Sequence, residues 1–125
     1  MGDLSKDFST DEFRCHGKNC CDHKFMADPA LIRGLQDLRE AVHGPIIVLC
    51  GYRCPKHNAE IGGTIGSQHM VGRAADINIP GFTVEQMALL AESIHVFNGG
   101  GIGRYPHKNF VHVDVRPNGP ARWTE

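Results

Sequence analysis

Two histidines and one aspartate have the residue types and surroundings expected of metal ligands. His69 and Asp76 lie seven positions apart in a stretch that contains Gly72 and small alanines, and His112 follows near the C-terminus. Two neutral imidazoles and one carboxylate, with a fourth position left open, are the ligand set of a catalytic zinc site. The same ligand types also suit manganese, nickel and cobalt. We call these three residues the His-Asp-His cluster.

Two predicted strands would bring the cluster together. Side chains alternate between the two faces of a strand, so His112 in strand 110–116 points away from the valines beside it. In strand 74–79, Asp76 likewise points away from the neighbouring isoleucines. If the two strands are neighbours, these two side chains meet, and His69 on the preceding loop can fold over both.

The elements that must position this cluster form a small α+β domain. Asp28-Pro29 begins a helix that Gly44-Pro45 ends, and Thr83 caps a second helix that Asn98-Gly99-Gly100-Gly101 ends. The continuous apolar run 46–49 predicts a buried strand, and residues 102–116 predict a hairpin. Residues 1–125 are therefore expected to form one domain, with two main helices packed on a small antiparallel or mixed sheet.

Residues 1–24 are predicted to form an N-terminal arm, loose over residues 1–8, that leads into an irregular cysteine-rich knuckle. No C-x-x-C pair is present, so three alternatives stay open: a structural zinc site, a disulfide such as Cys15 or Cys20 with Cys54, and free thiols. Cys50 follows the predicted buried strand and is expected to be a buried thiol. The residues that would hold the structural zinc are Cys15, Cys20, Cys21 and Cys54.

The net charge and the distribution of apolar residues limit the kinds of partner that the protein is expected to bind. The formal net charge is −1, which argues against nucleic-acid binding. No apolar run approaches the 18 or more residues of a membrane span, and the polar N-terminus has no apolar signal region. We therefore expect synthesis in the cytoplasm without a signal peptide, no membrane span, and a monomer.

The motifs together resemble a known family. Ser67-x-His69-x-x-Gly72-x-Ala74-x-Asp76, followed by Phe-Val-His-Val-Asp at 110–114, is similar to the zinc D-alanyl-D-alanine carboxypeptidases. Gly51-Tyr52-Arg53 and Gly-Ile-Gly-Arg-Tyr at 101–105 extend the resemblance. It implies the fold shared by the hedgehog signalling domain and D-Ala-D-Ala peptidases, with His69, Asp76 and His112 as ligands of one catalytic zinc.

The resemblance also implies an activity. A zinc metallopeptidase of this kind hydrolyses peptide bonds in the stems of bacterial cell-wall peptidoglycan, as a D-Ala-D-Ala carboxypeptidase or as an endopeptidase. Arg53 would bind the substrate carboxylate or polarise the scissile carbonyl, and Ser67 and Tyr105 would contact substrate. Such an enzyme would reach the wall after release or delivery. The alternative is a non-catalytic zinc-containing binding module, or a phage structural protein, of the same fold.

The proton-transfer residue is the point where the chain departs from its better-known relatives. Several of them carry an acid three positions before the last zinc histidine, where this sequence has Asn109. His107, five positions before His112, is our sequence-based candidate for the acid/base role, against the alternative of an exposed loop residue. Asp114 is the second candidate, either as a base or as a residue that orients a ligand, against a strand-end ion pair with an arginine.

Overall fold

The structure is a computed structural model that describes residues 2–125. Its centre is a five-stranded sheet in the order β1-β2-β4-β3-β5, in which β3 and β5 are parallel and the other neighbours are antiparallel. The prediction of an α+β domain on a mixed sheet is confirmed. The strands are β1 (Ile47–Cys50), β2 (Ala74–Asn78), β3 (Gly101–Tyr105), β4 (Phe110–Asp114) and β5 (Ala121–Thr124).

Four helices accompany the sheet, and the two long ones begin as their sequences predict. The Asp28 carboxylate caps α1 by accepting from the Ala30 backbone N–H at 2.8 Å, and Pro29 occupies the first helical position. Thr83 and Gln86 form a reciprocal capping box at the start of α3. The helices are α1 (Pro29–Val42), α2 (Pro55–Glu60), α3 (Val84–Glu92) and α4 (His95–Asn98), with short 3-10 turns at Thr10–Phe13 and Gln68–Val71.

The main core lies where the apolar stripes of α1, α3 and α4 meet one face of the sheet. Leu35, Met87 and Phe97 from these helices are buried together with Ile77 and Val111 from the strands. Because strand residues alternate, burial of this face leaves Asp76 and His112 on the opposite one. The packing of the helices on one face of the sheet therefore also leaves the Asp76 and His112 side chains together on the other face.

The N-terminal residues are more ordered in the fold than predicted. The interpretation of 1–8 as a loose arm is wrong for residues 2–8, because Phe8 is 1% exposed and belongs to the main core. The Ser5 hydroxyl and the Asp7 backbone N–H both donate to the side-chain oxygen of Gln36 on α1. Met1 lies outside the described residues.

Two other predictions about the sheet need correction. The run 46–49 was expected to be a buried strand, but β1 is an edge strand, and Ile47 and Leu49 are 47% and 43% exposed. The sequence of the tail 117–125, with Pro117 and Gly119-Pro120 near its start, indicates turns, yet residues 121–124 form β5 on the other edge. Both differences arise because strand order, which a single-sequence pattern does not contain, decides which apolar residues are covered.

In the described part of the chain, no helix has the length and apolar character needed to cross a membrane.

Candidate metal centre

Adjacent strands and one short turn bring the His-Asp-His cluster together, as predicted. Asp76 on β2 is the antiparallel register partner of His112 on β4. The 3-10 turn Gln68–Val71 carries His69 over them, and the Ser67 hydroxyl caps that turn by accepting from the His69 backbone N–H at 3.2 Å. Gly72 ends the turn with φ of +72°, a left-handed conformation that glycine adopts without steric cost.

Hydrogen bonds fix which nitrogen of each imidazole faces the centre. Nδ1 of His69 donates to the Gly51 carbonyl at 2.7 Å, and Nε2 of His112 donates to the Asp114 carboxylate at 2.7 Å. The opposite nitrogens, His69 Nε2 and His112 Nδ1, lie 3.2 and 3.3 Å from Oδ1 of Asp76. Because each ring uses one N–H group in these hydrogen bonds, the other nitrogen of the neutral imidazole directs its lone pair toward Asp76.

These separations suit a zinc ion. Zn–N and Zn–O bonds of about 2.0–2.2 Å in a tetrahedral site place neighbouring ligand atoms about 3.3–3.6 Å apart. The measured 3.2 and 3.3 Å are close to that edge length. His69 and His112 are 1% and 6% exposed, so their orientations are set by the surrounding protein. The donor types, the tautomers and the two separations from Asp76 Oδ1 fit a three-ligand zinc site.

The pKa values of the cluster shift as expected where anionic groups surround imidazoles. Burial alone would lower the pKa of His69, but Asp76 and then Cys50 outweigh it and raise that pKa above its ordinary value. The pKa of His112 is raised against its burial by Asp114 and Asp76. Burial would raise the pKa of Asp76, yet the hydrogen bonds of the two imidazoles hold it well below its usual range. The centre therefore favours positive charge, on protons or on a metal ion.

Asp114 lies behind His112 and not in the cleft. It is 0% exposed, and it binds the Arg116 guanidinium at 2.7 Å and the Gly101 backbone N–H at 2.8 Å. A carboxylate held in this way has no path to substrate, so the structure does not support Asp114 as a base. It supports the alternatives from the sequence, since Asp114 orients His112, a predicted ligand, and pairs with Arg116.

Arg53 stands at the wall of a cleft of about 890 Å³ that opens over the cluster. Its guanidinium donates to the Ser67 hydroxyl at 3.3 Å, and its backbone N–H donates to the His69 carbonyl at 3.1 Å. Its buried Nε–H has no hydrogen-bond partner among the described residues. Because Nε itself is inaccessible, it is the cleft-lining part of the half-buried guanidinium that suits a substrate oxygen.

Tyr105 forms another part of the cleft wall, and its ring stacks on Phe110 with centroids 4.6 Å apart. Its hydroxyl donates to a Glu125 carboxylate oxygen at 3.1 Å and accepts from the Trp123 indole N–H at 3.0 Å. Arg53, Ser67 and Tyr105, the residues predicted to contact substrate, thus all line one cleft with the metal ligands.

The structure does not bring His107 to this cleft. His107 is exposed in the turn between β3 and β4 and is not among the residues that line the cleft. Asn109, at the position where several relatives have an acid, adopts φ of +57° in the same turn, and its carbonyl accepts from the Asn78 side chain at 2.8 Å. The sequence placed His107 near His112 by chain distance, but the turn directs it away from the centre.

Sequence reasoning missed three residues of the site. Cys50 was expected to be a buried thiol, yet it lines the cleft, and its Sγ lies within 4.8 Å of the ligand atoms of His69 and Asp76. Trp123 covers the His112 ring at 4.9 Å between centroids, and Arg116 lies over the indole at 5.3 Å. The position of Cys50 at the end of a strand was the available signal, but its register partner, Asp76, was not apparent without the sheet order.

The three cysteines of the knuckle converge with Cys54, away from the cleft. Their four Sγ atoms lie within 4.8 Å of one another, and every cysteine of the chain is a free thiol in the structure. Of the three alternatives from the sequence, the disulfide is thus not formed here. These four residues, which we call the cysteine cluster, are Cys15, Cys20, Cys21 and Cys54.

The fold and the His-Asp-His cluster define the class of the protein: a small α+β domain with the ligand set of a metallopeptidase. Residues 6–114 match the peptidase M15 family, and the chain belongs to that family. The resemblance to the zinc D-Ala-D-Ala carboxypeptidases is thereby confirmed at the level of the family.

Curated relatives share about a third of their matched residues with the chain. It is 34% identical over 98 residues to the probable peptidoglycan L,D-endopeptidase MepK of Haemophilus influenzae, covering 72% of this chain and 51% of that protein. It is 34% identical over 102 residues to peptidoglycan L,D-endopeptidase MepK of Escherichia coli K12, covering 76% and 53%. The chain thus spans about half the length of the curated relatives it matches.

Proposed function

We propose that this protein is a zinc-dependent peptidase that hydrolyses peptide bonds in the stems of bacterial peptidoglycan. The observation that carries the proposal is the convergence of His69 Nε2 and His112 Nδ1 on Oδ1 of Asp76, at the base of a cleft that Arg53 lines. The names of the MepK relatives support the substrate class. We expect the protein to act on the wall after release or delivery, as a monomer.

Different residues of the chain would have different roles in amide hydrolysis. His69, Asp76 and His112 would hold zinc, which when bound supplies a Lewis acid that polarises a carbonyl and acidifies water. The guanidinium of Arg53, which lines the cleft, would donate to the substrate carbonyl oxygen, where negative charge develops, or to a terminal carboxylate. Tyr105 would position the peptide along the opposite wall through contacts with its hydroxyl and ring.

Of the two bond classes left open by the sequence, we favour internal cleavage over release of a terminal D-alanine. The relatives are named as endopeptidases. The cleft is also bordered by exposed apolar side chains of Leu49, Ile61 and Ile65, the last 98% exposed, which extend its contact surface beyond the metal centre. A longer stretch of stem peptide would cover this surface, whereas a terminal dipeptide would leave most of it in water.

Product masses from purified muropeptides distinguish these activities. An L,D-endopeptidase separates the stem at an internal bond between an L- and a D-residue, whereas a carboxypeptidase shortens a pentapeptide stem by one D-alanine. We expect internal cleavage that requires zinc and is lost in His69→Ala. Release of D-alanine alone would overturn the endopeptidase assignment, and no turnover of any muropeptide by the zinc-loaded protein would overturn the enzyme itself.

Arg53 offers a sharper test because its role requires the guanidinium fork. Arg53→Lys keeps the charge but removes the planar guanidinium fork, and we expect kcat/KM to fall by about 10²–10³-fold with zinc content unchanged. Arg33→Lys, an exposed position on α1, is the matched control and should behave as the wild type. Equal activity of the two variants would remove Arg53 from the proposed mechanism.

A non-catalytic zinc-containing binding module is the second candidate. The observation in its favour is Asn109, which occupies the position of an acid in several relatives and serves a structural turn here. The only lining carboxylates among the described residues are Asp76, a predicted ligand, and Glu125. A binding module would show zinc-dependent retention on peptidoglycan, and the muropeptide assay would then show no new product mass.

A further inference from the structure

We propose that the cysteine cluster binds one structural zinc ion, separate from the His-Asp-His cluster. The Sγ of Cys20 lies 3.8 Å from that of Cys15 and 3.8 Å from that of Cys21, and Cys54 completes a group within 4.8 Å. A tetrahedron with Zn–S bonds of about 2.3 Å has sulfur atoms about 3.8 Å apart. Two of the sulfur–sulfur separations therefore match a four-thiolate zinc site, and the remaining ones lie within 4.8 Å.

The same geometry is unsuited to disulfides. A disulfide requires an S–S separation of about 2.05 Å. Cys20 is equally distant from Cys15 and Cys21, so no pair is set apart from the others as bonding partners. Four sulfur atoms grouped in this way resemble the ligands around a metal ion. Among the common divalent metals, zinc is the one that thiolate ligands favour most.

Backbone amides support the sulfurs as they do in metal–thiolate sites. The Lys24 N–H donates to Sγ of Cys21 and the His57 N–H donates to Sγ of Cys54, each at 3.4 Å. The Cys15 backbone N–H is held by the Lys24 carbonyl at 2.9 Å. Such donors orient the ligands and partly offset the negative charge that several thiolates carry.

Hydrophobic burial contributes little to the conformation of the knuckle. Its buried apolar group consists of Cys15, Tyr52 and Cys54, with only a few half-buried neighbours, so hydrophobic burial there is small. Three of its residues that are not glycine adopt left-handed backbone conformations: Asn19, Asp22 and His23. A metal ion at the cysteine cluster would supply the folding free energy that this segment lacks.

A zinc ion at this position would also connect the N-terminal segment to the wall of the cleft. Cys54 caps α2 and directly follows Arg53, whereas the other three cysteines belong to the N-terminal segment. Zinc would therefore tie residues 15–21 to the wall that carries Arg53, where His16 and His57 also line the cleft. This inference concerns folding of the chain and does not rest on the proposed peptidase activity.

Metal analysis of variants separates the two sites. The double variant His69→Ala/His112→Ala should retain about one zinc per chain, whereas adding Cys20→Ser should remove it. Cobalt bound to the double variant should show intense sulfur-to-metal charge-transfer absorption. In the same background Cys50→Ser is the matched control and should leave that spectrum unchanged, since Cys50 is outside the cluster. A double variant without metal, or a spectrum lost with Cys50→Ser, would overturn the proposal.

Thiol counting on the unaltered protein covers the case in which Cys20→Ser fails to fold. Without reductant, the four cysteines should resist alkylation in the native protein and become reactive when a chelator is added. Alkylation of all four without a chelator would indicate free thiols, and resistance that only a reductant removes would indicate disulfides. Either result would refute the zinc site.

Discussion

Asp114 accepts a hydrogen bond from Nε2 of His112 at 2.7 Å and thereby directs the opposite nitrogen of the ring toward Asp76. The carboxylate is fully buried, and its remaining capacity is used by Arg116 and by the Gly101 backbone N–H. Burial would raise its pKa, but the hydrogen bonds of His112 and Arg116 hold that pKa well below its usual range. The orientation of His112, a predicted metal ligand, thus depends on the ion pair between the buried Asp114 and Arg116, a residue that lines the cleft.

Asp114→Asn should therefore weaken metal binding although no ligand is changed. Removal of the charge loosens the orientation of His112 and leaves Arg116 without its partner, so we expect zinc affinity to fall by about 10–100-fold. The free energy of unfolding should fall by about 3–5 kcal/mol. Chelator competition and chemical denaturation measure the two effects. Asp11→Asn, at an exposed ion pair with Arg14, is the matched control and should change neither.

A variant of His107 tests the assignment made from sequence against the geometry. Because His107 is exposed and lies outside the cleft lining, we expect His107→Ala to keep kcat/KM within about twofold of the wild type on a muropeptide. His95→Ala removes another exposed histidine and serves as control. A loss above about tenfold for His107→Ala alone, with zinc content retained, would show that the turn reaches the substrate.

The contrast between His112 and His107 shows what the sequence could and could not provide. Strand alternation predicted the face of His112 and its meeting with Asp76, because the period of a strand is fixed by its backbone. Chain proximity placed His107 beside the same site, but the direction of a turn residue depends on left-handed conformations such as that of Asn109. The face on which a strand side chain lies can thus be predicted from the sequence, whereas the direction of a side chain in a turn cannot.

The roles of Cys50 and Trp123 were missed for a related reason. Both lie on the edge strands β1 and β5, whose neighbours are set by the order of the whole sheet. Cys50 becomes part of the centre only because β1 pairs with β2, and Trp123 covers His112 only because β5 adds in parallel to β3. These contacts are long-range in sequence, so no local pattern contained them.

Gly103 should be required because the Trp123 indole lies directly against its backbone. A Cβ at position 103 would overlap the indole ring, so Gly103→Ala must displace Trp123 from His112. We expect a loss of about 1–3 kcal/mol from overpacking, which lowers Tm by roughly 4–12 °C. Thermal unfolding measures the effect. Gly99→Ala is the matched control, since its nearest contact would be the His95 carbonyl oxygen at 3.8 Å. Equal Tm values would indicate that the indole moves freely.

Cys50 should make the enzyme sensitive to thiol reagents. If the cysteine cluster is protected by zinc, Cys50 is the remaining thiol, and it is half-buried in the cleft beside His69 and Asp76. Iodoacetamide adds a carboxamidomethyl group to its Sγ, which would fill space over the metal centre and hinder substrate. We expect treated wild type to lose at least about tenfold of its muropeptide activity.

The matched variant for this experiment is Cys50→Ser, judged by the ratio of its activity after treatment to its own activity before. That ratio should stay near one, because the reactive thiol has been replaced by a hydroxyl that iodoacetamide does not alkylate under the same conditions. Peptide mass mapping of the treated wild type should locate the label on Cys50. Full activity of a protein labelled at Cys50 would place this thiol away from the path of the substrate, and the cleft would then have to be entered from the side of Tyr105.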